Sequence, residues 1–214
     1  MHVSLHRGVR EPELVSRLWV IYERSYSKIV ASTVTYEKFV RPDFDECLAD
    51  STHRTWIVWD DGAPVGLAVV STDLAANRWL SSEYFACADP DRARRSLVHY
   101  LLFVVIDRPY MAGTALIRIA RAVLEMEAAE GAILVFDLPE VNQPQEVGGL
   151  AELMRRMAKM VGESEVRQIE VQRYYCVEFA PVADVGDEPS TQPADLPASQ
   201  DDAETASVGA DSGR

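Results

Sequence analysis

The sequence predicts an α+β fold: a mixed, mostly antiparallel twisted sheet flanked by helices and carrying one parallel strand-loop-helix-strand unit. Three observations lead there. Two β-rich runs, residues 55–59 and 64–70, flank Asp60-Asp61-Gly62 and read as an antiparallel hairpin. A long apolar strand over residues 97–106 leads through a short loop into an amphipathic helix and a second apolar run at 132–136, the pattern of a parallel crossover. With 214 residues, 48% hydrophobic and 26% charged, the chain can bury one sizeable core and carry a tail besides.

The elements follow in order. Residues 2–6 alternate weakly and predict a first strand, after which Glu11-Pro12-Glu13 marks a helix start and Leu14, Leu18, Ile21 and Tyr22 recur at helical spacing. Thr35 is expected to cap a second short helix that includes Phe39 and is interrupted by Pro42, with Phe44, Cys47 and Leu48 as a further apolar face. In the hairpin, Trp56 and Trp59 are three residues apart and cannot share a strand face. One should pack inward and the other should face a groove or partner. Residues 71–95 are less regular and hold Trp79, Tyr84, Phe85 and an Asp89-Pro90-Asp91 turn, before the long strand resumes with both faces covered. A loop over 107–114 feeds a helix over 115–130, with Leu116, Ile119, Ala120 and Val123 on one stripe and Gly131 as its stop. Residues 150–160 predict another helix with Leu153, Met154, Met157, Met160 and Val161 as its core-facing residues. Residues 166–179 should close the domain as one or two strands.

Charge and cysteines narrow the function classes. The net charge of -13 argues against a general nucleic-acid or anionic-membrane binder. Residues 181–214 carry eight acids against the single base Arg214 and no aromatic residue, so they are expected to be a disordered acidic tail behind a folded domain of residues 1–180. The odd, widely spaced Cys47, Cys87 and Cys176 suit reduced thiols in a cytoplasm. The longest apolar run, 101–106, falls far short of the ~20 residues that span a bilayer, so neither export nor membrane insertion is expected. His2 and His6 lie about 13 Å apart on an extended strand, too far for one ion, and no metal is expected. No Gly-x-Ser-x-Gly elbow occurs, and neither Cys47 with His53 nor Cys87 with His99 has a nucleophile's context, which disfavours a hydrolase. Arg92, Arg94, Arg95, Arg118 and Arg121 read as a solvated face.

The loop before the long helix carries the functional reading. Met111, Ala112, Gly113, Thr114 and Ala115 are small or adaptable residues at a helix N-terminus, where unpaired amides and the helix dipole favour a phosphate. With the order of elements, residues 101–115 resemble the long strand and acyl-CoA pyrophosphate loop of the GNAT superfamily of N-acyltransferases over roughly residues 1–180. The family pattern is Gln or Arg, two residues, Gly, one residue, Gly or Ala. Gly113 and Ala115 match its last two positions, whereas Tyr110 stands in place of the Gln or Arg, leaving the backbone to bind pyrophosphate. Residues 109–118 look most like divergent GNAT members encoded by tailed bacteriophages.

The resemblance implies acyl transfer from acetyl-CoA to an amine by direct attack, with no metal. It places the co-substrate against Phe103, Val104, Val105, Ile106 and the loop residues Met111 to Ala115. The family's base position falls at His99, with Tyr100 and Glu83 as further candidates. The family's thiolate acid is a Tyr on the helix after the fifth strand. Residues 150–161 hold no Tyr, so Tyr174, Tyr175 or water would substitute. An amine-bearing small molecule or a protein amine is the implied acceptor, a nucleobase a lesser one, and a homodimer is compatible with the fold. The other reading is a GNAT-fold protein without catalysis that acts in virion assembly or protein binding.

Overall fold

The computed structural model describes residues 1–30, 38–111, 113–138 and 150–178, and the compact unit that holds the sheet runs from Met1 to Tyr174. One five-stranded sheet has the order β1-β2-β3-β4-β5, with β1 at His2–His6, β2 at His53–Asp60, β3 at Ala63–Ser71, β4 at Val98–Ile106 and β5 at Ile133–Val135. Strands β1 to β4 are antiparallel neighbours, and β5 lies parallel to β4. This is the mixed, mostly antiparallel sheet that the sequence predicts.

Helices α1 (Pro12–Val30) and α2 (Arg41–Ala49) cover one face and α5 (Ala115–Glu130) covers the other, with α6 (Leu150–Val161) packed against α5. Helix α1 begins where the Glu11 carboxylate accepts from the Glu13 and Leu14 amides at 3.2 and 2.9 Å, satisfying two first-turn donors. Val15, Leu18, Tyr22 and Tyr26 recur at steps of three and four along it, and all are buried against Phe44, Leu67 and Phe103. Pro42 does not interrupt a helix. It stands in the first turn of α2, where its missing N–H costs nothing, and Phe39 lies outside that helix. Thr35 lies outside the described residues.

The β2–β3 hairpin turns at Asp61 and Gly62, both at positive φ (46° and 75°), the geometry that matches strand twist. Trp56 and Trp59 do face opposite ways, but both are packed. Trp56 lies in the core under α5, whereas Trp59 is half-buried, stacks on His2 and donates from Nε1 to Ser4 Oγ at 2.7 Å. The stretch between β3 and β4 folds as α3 (Ser82–Ala88) and α4 (Pro90–Arg94). Phe85 from it caps a third cluster with Val98, Tyr100 and Val135.

Two expectations fail toward the C-terminus. Residues 164–178 form no strand, because no other described strand pairs with them. Val171 and Tyr174 stay exposed. On α6, Met154 and Met157 are buried but Met160 is 73% exposed; a step of three residues falls short of a full turn, and Val161, four beyond Met157, is half-buried instead. Residues 181–214 lie outside the described residues.

Candidate active site

Strands β4 and β5 pair only through Val98, His99 and Tyr100 with Ile133, Leu134 and Val135. Beyond Tyr100 the two strands part, and among the described residues the β5-side edge of β4 has no strand against it. The same place carries a bulge: Val70 pairs with Leu101 and Val69 with Phe103, so Leu102 is the extra residue. The bulge reverses the alternation of β4. Before it His99 and Leu101 face α5; after it Val104 and Ile106 do, while Phe103 and Val105 face α1. The expected alternation of a regular strand therefore does not carry through residues 98–106.

A cavity fills the gap. Leu101 and Val104 with Leu116, Ile119, Ala120 and Val123 of α5 line it on one face of the sheet. Tyr26 and Phe103 line it on the other, and Phe136, Asp137, Leu138 and Met154 close the β5 side. Of the residues expected to hold a co-substrate, Phe103 and Val104 line this cavity, whereas Val105 and Ile106 are buried in the two cores on either side of the sheet.

Asp137 is the one charged residue among the described residues of the lining. It is exposed at the rim, and its Oδ1 accepts from the Tyr100 hydroxyl at 2.5 Å. Tyr100 itself is buried and lies 6.1 Å from Trp79, itself 42% exposed. Tyr26 is buried from α1, its ring 4.5 Å from Tyr22 and 6.2 Å from Phe103. Sequence reasoning missed both Asp137 and Tyr26. An acid directly after a short apolar strand was the available signal for the first; the helical step from Tyr22 placed the second on the core face without showing that this face meets a gap.

His99 is placed differently from the expectation. Its imidazole is 1% exposed, with Nδ1 2.5 Å from Glu127 Oε2 and Nε2 3.1 Å from the Ser96 carbonyl oxygen, so neither nitrogen faces the cavity. The same Glu127 carboxylate accepts from Arg54 Nη1 at 3.0 Å, and Arg54 Nη2 reaches both oxygens of Glu130 at 2.7 and 2.6 Å. This buried set ties β2 and β4 to the end of α5. His99, Glu127 and Glu130 have the types and closeness of a metal-ligand set, but the Arg54 guanidinium already sits on both carboxylates. Glu83 is exposed in the first turn of α3 and does not line the cavity.

The loop after β4 closes as a 3-10 turn at Arg108–Tyr110, and the Gly113 amide donates to the Tyr110 carbonyl at 3.1 Å. A Cβ at Gly113 would meet that carbonyl oxygen at 3.3 Å, so the position is tight for any side chain. Thr114 makes no side-chain cap, so its hydroxyl does not occupy the first-turn amides of α5. Ala112 lies outside the described residues; Met111 is exposed beside it. The Tyr110 phenol is held above its ordinary value by its hydrogen bond to Asp60, then by desolvation and the nearby Asp61 and Asp107 charges, so its hydroxyl serves Asp60 and not the loop. Cys47 is no nucleophile: burial, with the Asp50 charge, pushes its thiol up to about 12, although His53 Nδ1 lies 3.6 Å from its sulfur.

No protein-family model and no curated protein matches the chain. Among solved structures it is similar to the aminoglycoside N-acetyltransferase AAC(6')-Iy in complex with CoA, at 13% identity over 82% of this chain and 96% of that one, with a TM-score of 0.47. It is also similar to an aminoglycoside acetyltransferase from an uncultured soil metagenomic sample, at 12% identity over 82% and 97% with a TM-score of 0.45. A third is a ribosomal-protein-alanine N-acetyltransferase from Brucella melitensis, at 14% identity over 81% and 98% with a TM-score of 0.43.

Proposed function

We propose that this chain is an acyl-CoA-dependent N-acyltransferase of GNAT type that acylates a primary amine, with acetyl-CoA as its simplest donor. The observation that carries the reading is the apolar slot where β4 and β5 part at the Leu102 bulge, floored by the helix that follows the glycine loop. A strand edge without a partner offers amides and carbonyls to the amides of a pantetheine arm, and apolar walls exclude water from a thioester. The loop supplies a diphosphate with the first-turn amides of α5 and one exposed cation, Arg108. The Asp60, Asp61 and Asp107 carboxylates oppose an anion there, so the fit is better for the arm than for the phosphates.

The co-substrate would supply an acyl group activated as a thioester. The chain's own residues do the rest. Asp137 at the rim attracts an ammonium and accepts one of its protons, and the Tyr100 hydroxyl fixes which carboxylate oxygen stays available. Amides at the β4 bulge are the donors that this reading assigns to the thioester carbonyl oxygen. Tyr26 stands on the opposite wall from α5 as a donor for the departing sulfur, in the role for which α6 offers only methionines. His99 is here a positioning residue that fixes β4 on α5.

The acceptor is an amine-bearing molecule that reaches the slot from the face where Tyr26 lies, opposite the α5 face that receives the donor. Calorimetric titration of the full chain with acetyl-CoA tests the reading. Saturable binding that Gly113→Trp abolishes is the expected result; no binding to folded protein would end it.

A further inference from the structure

An amine held at Asp137 brings the rest of its molecule past the residues that border the slot on the face where Tyr26 lies. Aromatic rings follow one another there. Phe103, which lines the cavity, lies 5.9 Å from Phe39; Phe39 meets Trp79 edge to face at 6.1 Å; and Trp79 lies 6.1 Å from Tyr100, whose hydroxyl donates to Asp137 at 2.5 Å. Trp79 is outside the lining itself and borders it twice, through Phe39 and Phe103 on one side and through Tyr100 and Asp137 on the other. Phe103 and Tyr100 are buried and Phe39 is half-buried, whereas Trp79 is 42% exposed, so Trp79 presents most of this arc to solvent.

The arc is held in place by its backbone. The Phe39 amide donates to the Tyr22 hydroxyl oxygen at 3.0 Å, and the Trp79 amide donates at 2.9 Å to Oδ1 of Asn77, itself buried. A fixed ring with water on it gains free energy when a second apolar surface covers it, and little ordering is left to oppose the contact. Charge narrows what that surface is. The Arg78 guanidinium already lies over the Trp79 ring, 4.6 Å from its centroid, so a second cation there would meet a like charge. Among the described residues of the lining Asp137 is the one carboxylate, which suits one ammonium.

We propose that Trp79 is an acceptor-specificity residue and that the acceptor is an arylalkylamine, with one primary ammonium at Asp137 joined through a short linker to an aromatic ring that packs on Trp79. The inference rests on the N-acyltransferase reading of the slot. A polyamine is the class that this arrangement rejects, since its further ammonium groups meet Arg78 beside the indole and no second carboxylate in the described lining. The bond formed and the thiol released are those of the transfer already described.

The test is steady-state release of free CoA by the full chain from acetyl-CoA with 2-phenylethylamine, tryptamine, n-propylamine or spermidine, donor binding being followed separately by calorimetry. Both aryl amines should exceed n-propylamine and spermidine in kcat/KM by about tenfold or more, the worth of one aromatic contact and the area it buries. Trp79→Ala should remove most of that preference by raising KM for the aryl amines, and Trp79→Phe should restore part of it, a rescue that a purely structural role does not give. Equal kcat/KM for all the amines, a preference for spermidine, or an aryl preference that Trp79→Ala leaves in place overturns the inference and leaves the transferase reading standing. No turnover of either aryl amine overturns it too, and the transferase reading falls with it only where acetyl-CoA also fails to bind. Should Trp79→Ala fail to fold, as near-UV circular dichroism will report, Trp79→Phe and the amine series on the unaltered chain decide.

Discussion

His99 faces α5 because β4 alternates regularly up to Leu101, and there its two nitrogens meet two oxygens, one from Glu127 and one from Ser96. A histidine in that position was legible in the sequence as a polar residue on an apolar strand. What the sequence did not show was Glu127 on the facing turn of α5 or Arg54 on β2, since both partners lie far along the chain. Removing one partner of such a buried set leaves its neighbours' charges uncompensated. Arg54→Met should therefore cost about 3–5 kcal/mol in denaturant unfolding, far more than a surface arginine. Asp137→Asn should leave donor affinity as it is and lower the turnover of a verified amine by about 10²- to 10⁴-fold, as kcat and Kd measured side by side will report. Cys47 gives a third check. Its thiol is raised to about 12 in the folded chain, so the folded form keeps its proton where the unfolded form has lost it, and this contribution to stability falls as pH rises from about 9 toward 12. At pH 8 iodoacetamide should modify the exposed Cys87 and Cys176 in native protein and reach Cys47 only after unfolding, as mass spectrometry will count.

Local chemistry made several elements legible. The β2–β3 hairpin was readable from Asp61-Gly62, which take the positive φ that its turn requires, and α5 from its stripe and the left-handed Gly131 that ends it. The irregularities that build the site were not readable. A bulge leaves no mark in composition, because Leu102 is as apolar as its neighbours, yet it is what turns Val104 rather than Phe103 toward α5. The final segment was misread for the converse reason: the β-branched and aromatic residues over 166–177 have strand propensity, but propensity alone does not pair a segment with a sheet edge. Gly66 shows how closely β3 and β4 approach beside the loop. A Cβ there would lie 2.9 Å from the Val105 carbonyl oxygen, so Gly66→Ala should destabilise the chain by about 1–3 kcal/mol in urea unfolding.

At the scale of the whole molecule, helices pack on both faces of the sheet, and among the described residues its last two strands part beyond Tyr100. The opening passes from the α5 face to the α1 face, so donor and acceptor can be bound together. Its described lining contains no cysteine or serine to take an acyl group in between. Initial velocities at several fixed concentrations of one substrate should consequently give intersecting and not parallel double-reciprocal lines. The measurement that bears most directly on the account is hydrogen exchange of the full chain with and without acetyl-CoA, followed by mass spectrometry. The account expects added protection along residues 101–106 and 113–118, the free edge of β4 and the first turns of α5, with the α1–α2 face little changed. Protection confined to other parts of the chain, or none at a saturating concentration, would contradict it.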